Sequence, residues 1–267
     1  MKGFGCHSST WVLDYDKELD FVDHIIDTVS ETKFKSIDVQ VALLGKYTDN
    51  PKALEEKLLS KGVELAALTL PFDWFGKEET KEEKQRGDFY IEFVKHFPGA
   101  ILNTPSRVGK DRENLYETQK NILNNANKFA ERAYEEGVQV SFHPASPPTS
   151  FFRTQEDYDV MFNYLDSNYI SYTPDAGHIA MGGMDPVKIV QDNIPLIKHV
   201  HFKDHSKING WSELGTGDIN FKRIIEILNE NNYQGWIMIE EETEEAAKQP
   251  DVVVKKIDKY VHSELYK

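Results

Sequence analysis

The strongest constraint on the fold is an alternation that runs the length of the chain: short runs of β character, each followed by a longer amphipathic stretch. Residues 3–8 lead into 16–32, 36–41 into 51–61, 63–70 into 78–97, and 100–104 into 114–136. The pattern continues with 138–143 and 154–165, 170–175 and 186–194, 199–203 and 221–231, and finally 236–240 and 252–265. Strands that alternate with helices pair in parallel through right-handed crossovers. Eight such units in 267 residues match a closed (β/α)8 barrel, which takes about 250 residues in one domain. The rival is an open doubly wound sheet, but the first strand runs into Cys6-His7-Ser8-Ser9-Thr10-Trp11 with no glycine-rich phosphate loop. The chain therefore reads as an α/β fold, a single (β/α)8 TIM barrel over residues 1–267 with its site at the carboxyl ends of the strands. Gly62, Gly137 and Gly235 fall between a helical stretch and the next strand, where a left-handed helix cap is expected, and Asp185-Pro186 reads as an N-cap followed by proline at the first helical position.

Composition narrows the function. The balance of 31 Lys and Arg against 45 Asp and Glu gives a net charge of −14, and no basic stripe offers a nucleic-acid backbone its counterions. The single cysteine, Cys6, excludes a disulfide framework and a cysteine-rich zinc site, and points to a reducing, cytoplasmic setting. No apolar run approaches the roughly 18 residues of a membrane span, and the start of the chain lacks a signal-peptide pattern.

Alternate residues of a barrel strand face the interior, so parity separates packing from chemistry. In the fifth strand Val138, Val140 and Phe142 share one face and Ser141 and His143 the other. In the sixth, Ser171, Thr173 and Asp175 face inward; in the seventh, His199, His201 and Lys203; in the eighth, Glu240, opposite Ile237 and Ile239. Packing alone would place Val, Ile and Leu there. His143, Asp175, His201 and Glu240 make a mixed imidazole and carboxylate set that suits Zn, Mn, Co or Fe better than Ca or Mg. Any one of them has an ordinary explanation, as a hydrogen-bonded core histidine or a turn aspartate; four on neighbouring strands point to a metal centre. Glu242 shares parity with Glu240 and would replace it after a register error. Among candidate substrate contacts, Asp38 is placed to orient a substrate hydroxyl or a partner on the eighth strand, His199 faces inward outside the metal set, and Trp11, Phe72, Trp74 and Trp211 are aromatics near strand ends that either wall a pocket or pack loops.

Four ordered segments carry a resemblance: Thr173-Pro174-Asp175-Ala176-Gly177-His178, His199-Val200-His201-Phe202-Lys203-Asp204, Leu214-Gly215-Thr216-Gly217-Asp218-Ile219-Asn220-Phe221, and Tyr233-Gln234-Gly235-Trp236 through Glu240. Together they resemble the xylose isomerase-like TIM-barrel superfamily, the sugar isomerase and epimerase group. The resemblance implies a divalent metal held by His143, Asp175, His201 and Glu240, with Lys203 and His178 beside the metal and the substrate oxygens. It also implies a small sugar or polyol substrate and a homo-oligomer. Many sugar epimerases carry Glu where this chain has His143, and their two glutamates act as opposed bases, so the departure weighs against that symmetrical mechanism. His143 and Gly182-Gly183-Met184-Asp185-Pro186 resemble the inosose dehydratase branch, in which Glu240 would act as base and His178 or Lys203 as acid. The expectation is a metal-dependent enzyme that removes a proton next to a carbonyl, giving isomerisation, epimerisation or dehydration. A non-catalytic sugar-binding subunit and an abasic-site endonuclease are the alternatives, and the charge disfavours the second. Substrate phosphorylation is not expected, Gly215-Thr216-Gly217 being the nearest candidate phosphate loop.

Overall fold

A computed structural model describes residues 1–265. Seven strands appear in order: β1 (Gly3–His7), β2 (Ser36–Gln40), β3 (Glu64–Thr69), β4 (Ile101–Pro105), β5 (Val140–His143), β6 (Ile170–Tyr172) and β7 (Val200–Phe202). A short antiparallel hairpin, β8 (Asp204–Ser206) and β9 (Gly210–Ser212), follows, and β10 (Trp236–Ile239) comes last. All but the hairpin form one eight-stranded sheet ordered β6-β5-β4-β3-β2-β1-β10-β7, and each of its pairs is parallel. Its two ends meet through single parallel bridges, Tyr172 with Ile197 and Asp175 with His201, and the His201 N–H donates to the Pro174 carbonyl at 2.9 Å. The curled sheet is thus that of a (β/α)8 barrel, and its seam runs through two of the expected metal ligands.

The outer helices are α1 (Val22–Ser30), α2 (Pro51–Lys61), α3 (Lys81–Val94), α4 (Leu115–Glu135), α5 (Gln155–Tyr164), α6 (Ala176–Met181), α7 (Pro186–Asn193), α8 (Phe221–Glu230), α9 (Glu244–Lys248) and α10 (Pro250–Tyr260). Their caps explain where sequence boundaries move. Helix α3 begins three residues later than expected because Thr80 and Glu83 form a reciprocal capping box. Helix α1 begins at Val22 instead of residue 16, where its apolar face Val22, Ile25, Ile26 and Val29 first becomes buried at helical spacing. Asp185 caps α7 and Pro186 occupies its first turn, as expected. Gly62 (φ 64°) and Gly137 (φ 75°) take the left-handed conformation, but before β10 that role passes to Asn232 (φ 54°). Gly235 is needed for space instead, because a Cβ there would stand 2.2 Å from the Lys198 carbonyl oxygen.

Parity along the strands holds. Val140, Phe142, Val200, Phe202, Ile237 and Ile239 belong to the apolar layer shared with the helices, whereas Trp236 and Met238 form a separate cluster with Ala66 inside the sheet. Each fully buried side chain of this size contributes roughly 1.5–3 kcal/mol. That rigid layer fixes the height and direction of the inward polar residues.

Candidate metal centre and active site

His143 ends β5, Glu240 directly follows β10, and Asp175 and His201 meet across the seam, so four strand ends deliver four side chains to one point. One ligand-type atom from each of His143, Asp175, His201 and Glu240 lies within 4.8 Å of the other three, and all four residues are buried. Asp175 also caps α6: its Oδ1 accepts from the His178 N–H at 2.8 Å, which leaves Oδ2 facing the centre. Gly177 allows this helix to seat, since a Cβ there would lie 2.7 Å from the Lys203 carbonyl oxygen. The Asp-x-Gly-His segment is therefore one device that turns a strand end into a cap and an inward carboxylate.

The donor set fits a divalent ion. Asp175 Oδ2 and both ring nitrogens of His143 are buried without a hydrogen-bond partner, although His143 Nε2 stands only 3.7 Å from Asp175 Oδ2. Leaving such atoms unpaired costs about 1–3 kcal/mol each, a penalty that coordination removes. His201 lies between carboxylates, its Nδ1 donating to Glu240 Oε2 and its Nε2 to Asp38 Oδ2, both at 3.1 Å. Burial pulls this imidazole down, but the hydrogen bonds to Asp38 and Glu240 prevail and push it up to about 9. Displacement of the Nδ1 proton would leave Nε2–H on Asp38, the carboxylate–histidine arrangement that orients metal ligands. Burial acts against ionised Glu240, yet Lys203 and the neighbouring histidines hold it well below the usual carboxylate range.

Lys203, fully buried, is the hub on the cleft side. Its ammonium donates to Glu242 Oε1 at 2.8 Å, to Glu240 Oε1 at 2.9 Å and to His178 Nε2 at 3.0 Å. His178 Nδ1 faces Ser146, 3.2 Å from its backbone N–H and 2.7 Å from its hydroxyl oxygen, and burial together with the Lys203 charge lowers the ring to about 3, so it is neutral. Burial pushes Glu242 up to about 8, with Lys203 pulling it down and Glu240 pushing it further up. Trp211 lies beneath this group, its ring 4.6 Å from the Lys203 ammonium. The adjoining cleft, about 340 Å³, is lined by His143, His178, Glu242, Tyr15, Ser106 and Arg107, with Leu13, Pro71, Pro105 and Val108 forming an apolar wall.

Other expected substrate contacts lie elsewhere. Asp38 is 0% exposed and accepts from Thr69 Oγ1 at 2.7 Å, His199 Nε2 at 3.0 Å and His201 Nε2 at 3.1 Å. It sits behind His201, not in the cleft wall, and His199 lies on its far side. Phe72 is 2% exposed, stacked on Trp74 at 4.2 Å and packed on Phe129; both aromatics belong to the core and not to a pocket. Trp11 donates its indole N–H to Asp251 at 2.7 Å, tying the loop after β1 to α10. Sequence reasoning did not include Tyr15 and Arg107, which come from irregular loops without periodicity. It held Glu242 only as a register alternative, and the structure brings both glutamates to Lys203.

The glycine-rich segment has a structural role. Asp204 Oδ2 accepts from the Gly215 and Gly217 N–H groups at 2.8 and 2.9 Å, and its Oδ1 accepts from the His205 N–H at 2.8 Å. Amides that would cradle a phosphate are thus occupied by the chain's own carboxylate.

Comparisons with known proteins agree with this fold. Inosose dehydratases from Clostridium botulinum (strain Alaska E43 / Type E3) and Clostridium tetani (strain Massachusetts / E88) are similar at 28% and 27% identity. The first match covers 85% of this chain and 88% of the relative, the second 90% and 92%. Among solved structures, the IOLI protein with a bound zinc atom superposes with a TM-score of 0.77 at 14% identity, covering 100% of this chain and 98% of the other. A 3-keto-D-glucoside 4-epimerase from E. coli superposes at 0.71 and 15%, covering 97% and 100%. The family model described as xylose isomerase-like TIM barrel matches residues 26–260, and the chain belongs to that family of sugar-processing enzymes.

Proposed function

We propose that the protein removes a proton next to the carbonyl of a small, unphosphorylated keto-polyol with the help of a divalent metal, and that an inosose-type substrate then loses water. The observation that carries this reading is the four-strand convergence of His143, Asp175, His201 and Glu240 with three of their polar atoms unpartnered. These four would hold the ion, whether Mn, Co, Zn or Fe. When bound, it supplies polarisation of the carbonyl and stabilisation of the negative charge that develops on its oxygen.

The remaining work falls to the chain. Glu240 and Glu242 share the Lys203 ammonium, and Glu242 is the carboxylate that lines the cleft. This pair takes the proton from the carbon beside the carbonyl. The electrons of that C–H bond form the C=C bond, the neighbouring C–O bond breaks, and the departing hydroxyl receives a proton from the Lys203 ammonium, beside which the neutral His178 ring stands. His143, where epimerases carry a second glutamate, leaves no carboxylate from β5 to return a proton on the opposite face, which supports elimination over epimerisation. Asp204 on Gly215 and Gly217 supports a substrate without phosphate. The reading takes residues 1–267 as one catalytic unit, a homo-oligomer in the cytoplasm, a setting suited to its single buried cysteine.

The test is incubation of metal-loaded protein with keto-inositols and ketoses in deuterium oxide, followed by NMR and mass spectrometry. Water loss with deuterium exchange is expected, and Glu242→Gln should reduce it by about 10²–10⁴-fold. Exchange without water loss would mean isomerisation or epimerisation. Saturable binding without exchange would mean a sugar-binding subunit, and full activity after removal of the ion would overturn the metal assignment.

A further inference from the structure

At the opposite, amino-terminal mouth of the barrel lies a second cavity of about 380 Å³, within the usual size of small-ligand sites. Its wall includes Lys2, Lys198, Trp236, Gln139, Asn232 and His199, and contains neither Asp nor Glu. In a chain with 45 acidic residues, that exclusion sets the cavity apart. Trp236 is 5% exposed, and its indole Nε1–H is a buried donor without an acceptor. The Lys2 ammonium lies 5.8 Å from the centre of the Trp236 ring, over a space kept open by Gly99, where a Cβ would stand 3.1 Å from that nitrogen. Neither Lys2 nor Lys198 forms an ion pair among the described residues. Two lysines without a carboxylate partner thus border the cavity beside a buried indole N–H that has no acceptor, and no carboxylate lines the wall.

We propose that this cavity binds a small molecule through an oxyanion, a carboxylate or a phosphate. Charge-assisted hydrogen bonds from the two lysines and the Trp236 N–H would hold the anion, while Ile101, Ile197 and the indole face would accommodate its carbon skeleton. The cavity lies behind the metal centre, on the side away from the cleft: His199, in the cavity wall, donates to Asp38, which also accepts from His201.

Calorimetric titration of the full chain, stripped of metal so that the four-ligand centre takes up no anion, tests the proposal with inorganic phosphate in one arm and citrate in the other. Saturable binding of either at low salt, weakening as salt is raised, is expected, and the arm that binds more tightly identifies the class. The Lys2→Gln/Lys198→Gln double variant, altered only at exposed side chains, should bind at least about tenfold more weakly with an unchanged melting temperature. Trp236→Phe, which keeps the ring and removes the donor, should weaken binding roughly two- to tenfold. No saturable heat in either arm, or undiminished affinity in the double variant, would overturn it.

Discussion

Replacing Asp38 with Asn separates the role of a carboxylate behind a metal ligand from the role of the ligand itself. Asp38 is buried and accepts hydrogen bonds from Thr69, His199 and His201, with a longer one from the Asn103 amide at 3.5 Å. Asn has the same shape and retains one carbonyl oxygen for the two histidine donors, and its NH₂ can face the Thr69 hydroxyl oxygen. The substitution therefore removes charge while keeping most of the bonds. Charge-assisted bonds are worth about 1.5–3 kcal/mol and neutral ones about 0.5–1.5 kcal/mol, so the His201 contact loses on the order of 1–2 kcal/mol. Outer carboxylates of this kind typically alter metal affinity by about 10–100-fold, or roughly 1.4–2.8 kcal/mol, so the two routes agree. Asp38→Ala is the contrasting variant, because it leaves buried donors without an acceptor and should cost about 3–5 kcal/mol of folding stability. Competition with a chromophoric chelator gives the affinity, and thermal melting reports the fold. An Asp38→Asn protein that melts normally and binds the ion as tightly as the parent would refute the idea that Asp38 orients His201.

Other outcomes follow from the same contacts. Lys203→Met leaves Glu240 and Glu242 without their shared cation, and urea denaturation should show a loss of about 3–5 kcal/mol; an unchanged midpoint would contradict the hub. Gly217→Ala would put a Cβ 2.2 Å from Asp204 Oδ1, so the loop must shift, at about 1–3 kcal/mol in the same assay. Phe129→Ala empties the space between Phe72, Trp74 and Gly87 and should cost about 3–5 kcal/mol. Addition of the bound ion at about 100 times its Kd should stabilise the stripped protein by roughly 2.7 kcal/mol. At about 2–4 °C per kcal/mol for a chain near this size, calorimetry should show the melting temperature rising by about 5–10 °C.

How much of this was legible in the sequence depends on what period-two parity encodes. It assigns a face, and every inward residue it selected on the last four strands does point inward. It does not assign a height along the barrel axis. Asp38 and His199 share the inward face with His201 but lie behind it, so the same pattern that selected the four candidate ligands also put these two side chains among the candidate substrate contacts. Phe72 and Trp74 misled for a related reason: an aromatic near a strand end faces either the cleft or the helix layer, and stacking against Phe129 decided for the latter. The hairpin Asp204–Ser212 and the short helix α6 escaped notice because turns and caps form them, without hydrophobic periodicity. Closure of the barrel by two isolated bridges, Tyr172 with Ile197 and Asp175 with His201, likewise rests on single residue pairs, beneath the reach of any window of sequence.

The central claim is that His143, Asp175, His201 and Glu240 together hold one divalent ion. Its most direct test is the metal content of purified parent protein beside His143→Ala and Asp175→Ala, each stripped, reloaded and desalted before elemental analysis, with a melt to confirm folding. About one ion per chain is expected in the parent, as four converging ligands imply, and little or none in either variant, with cooperative melts throughout. Full occupancy in both folded variants, or a parent that retains no ion after loading with Mn, Co, Zn or Fe, would contradict it.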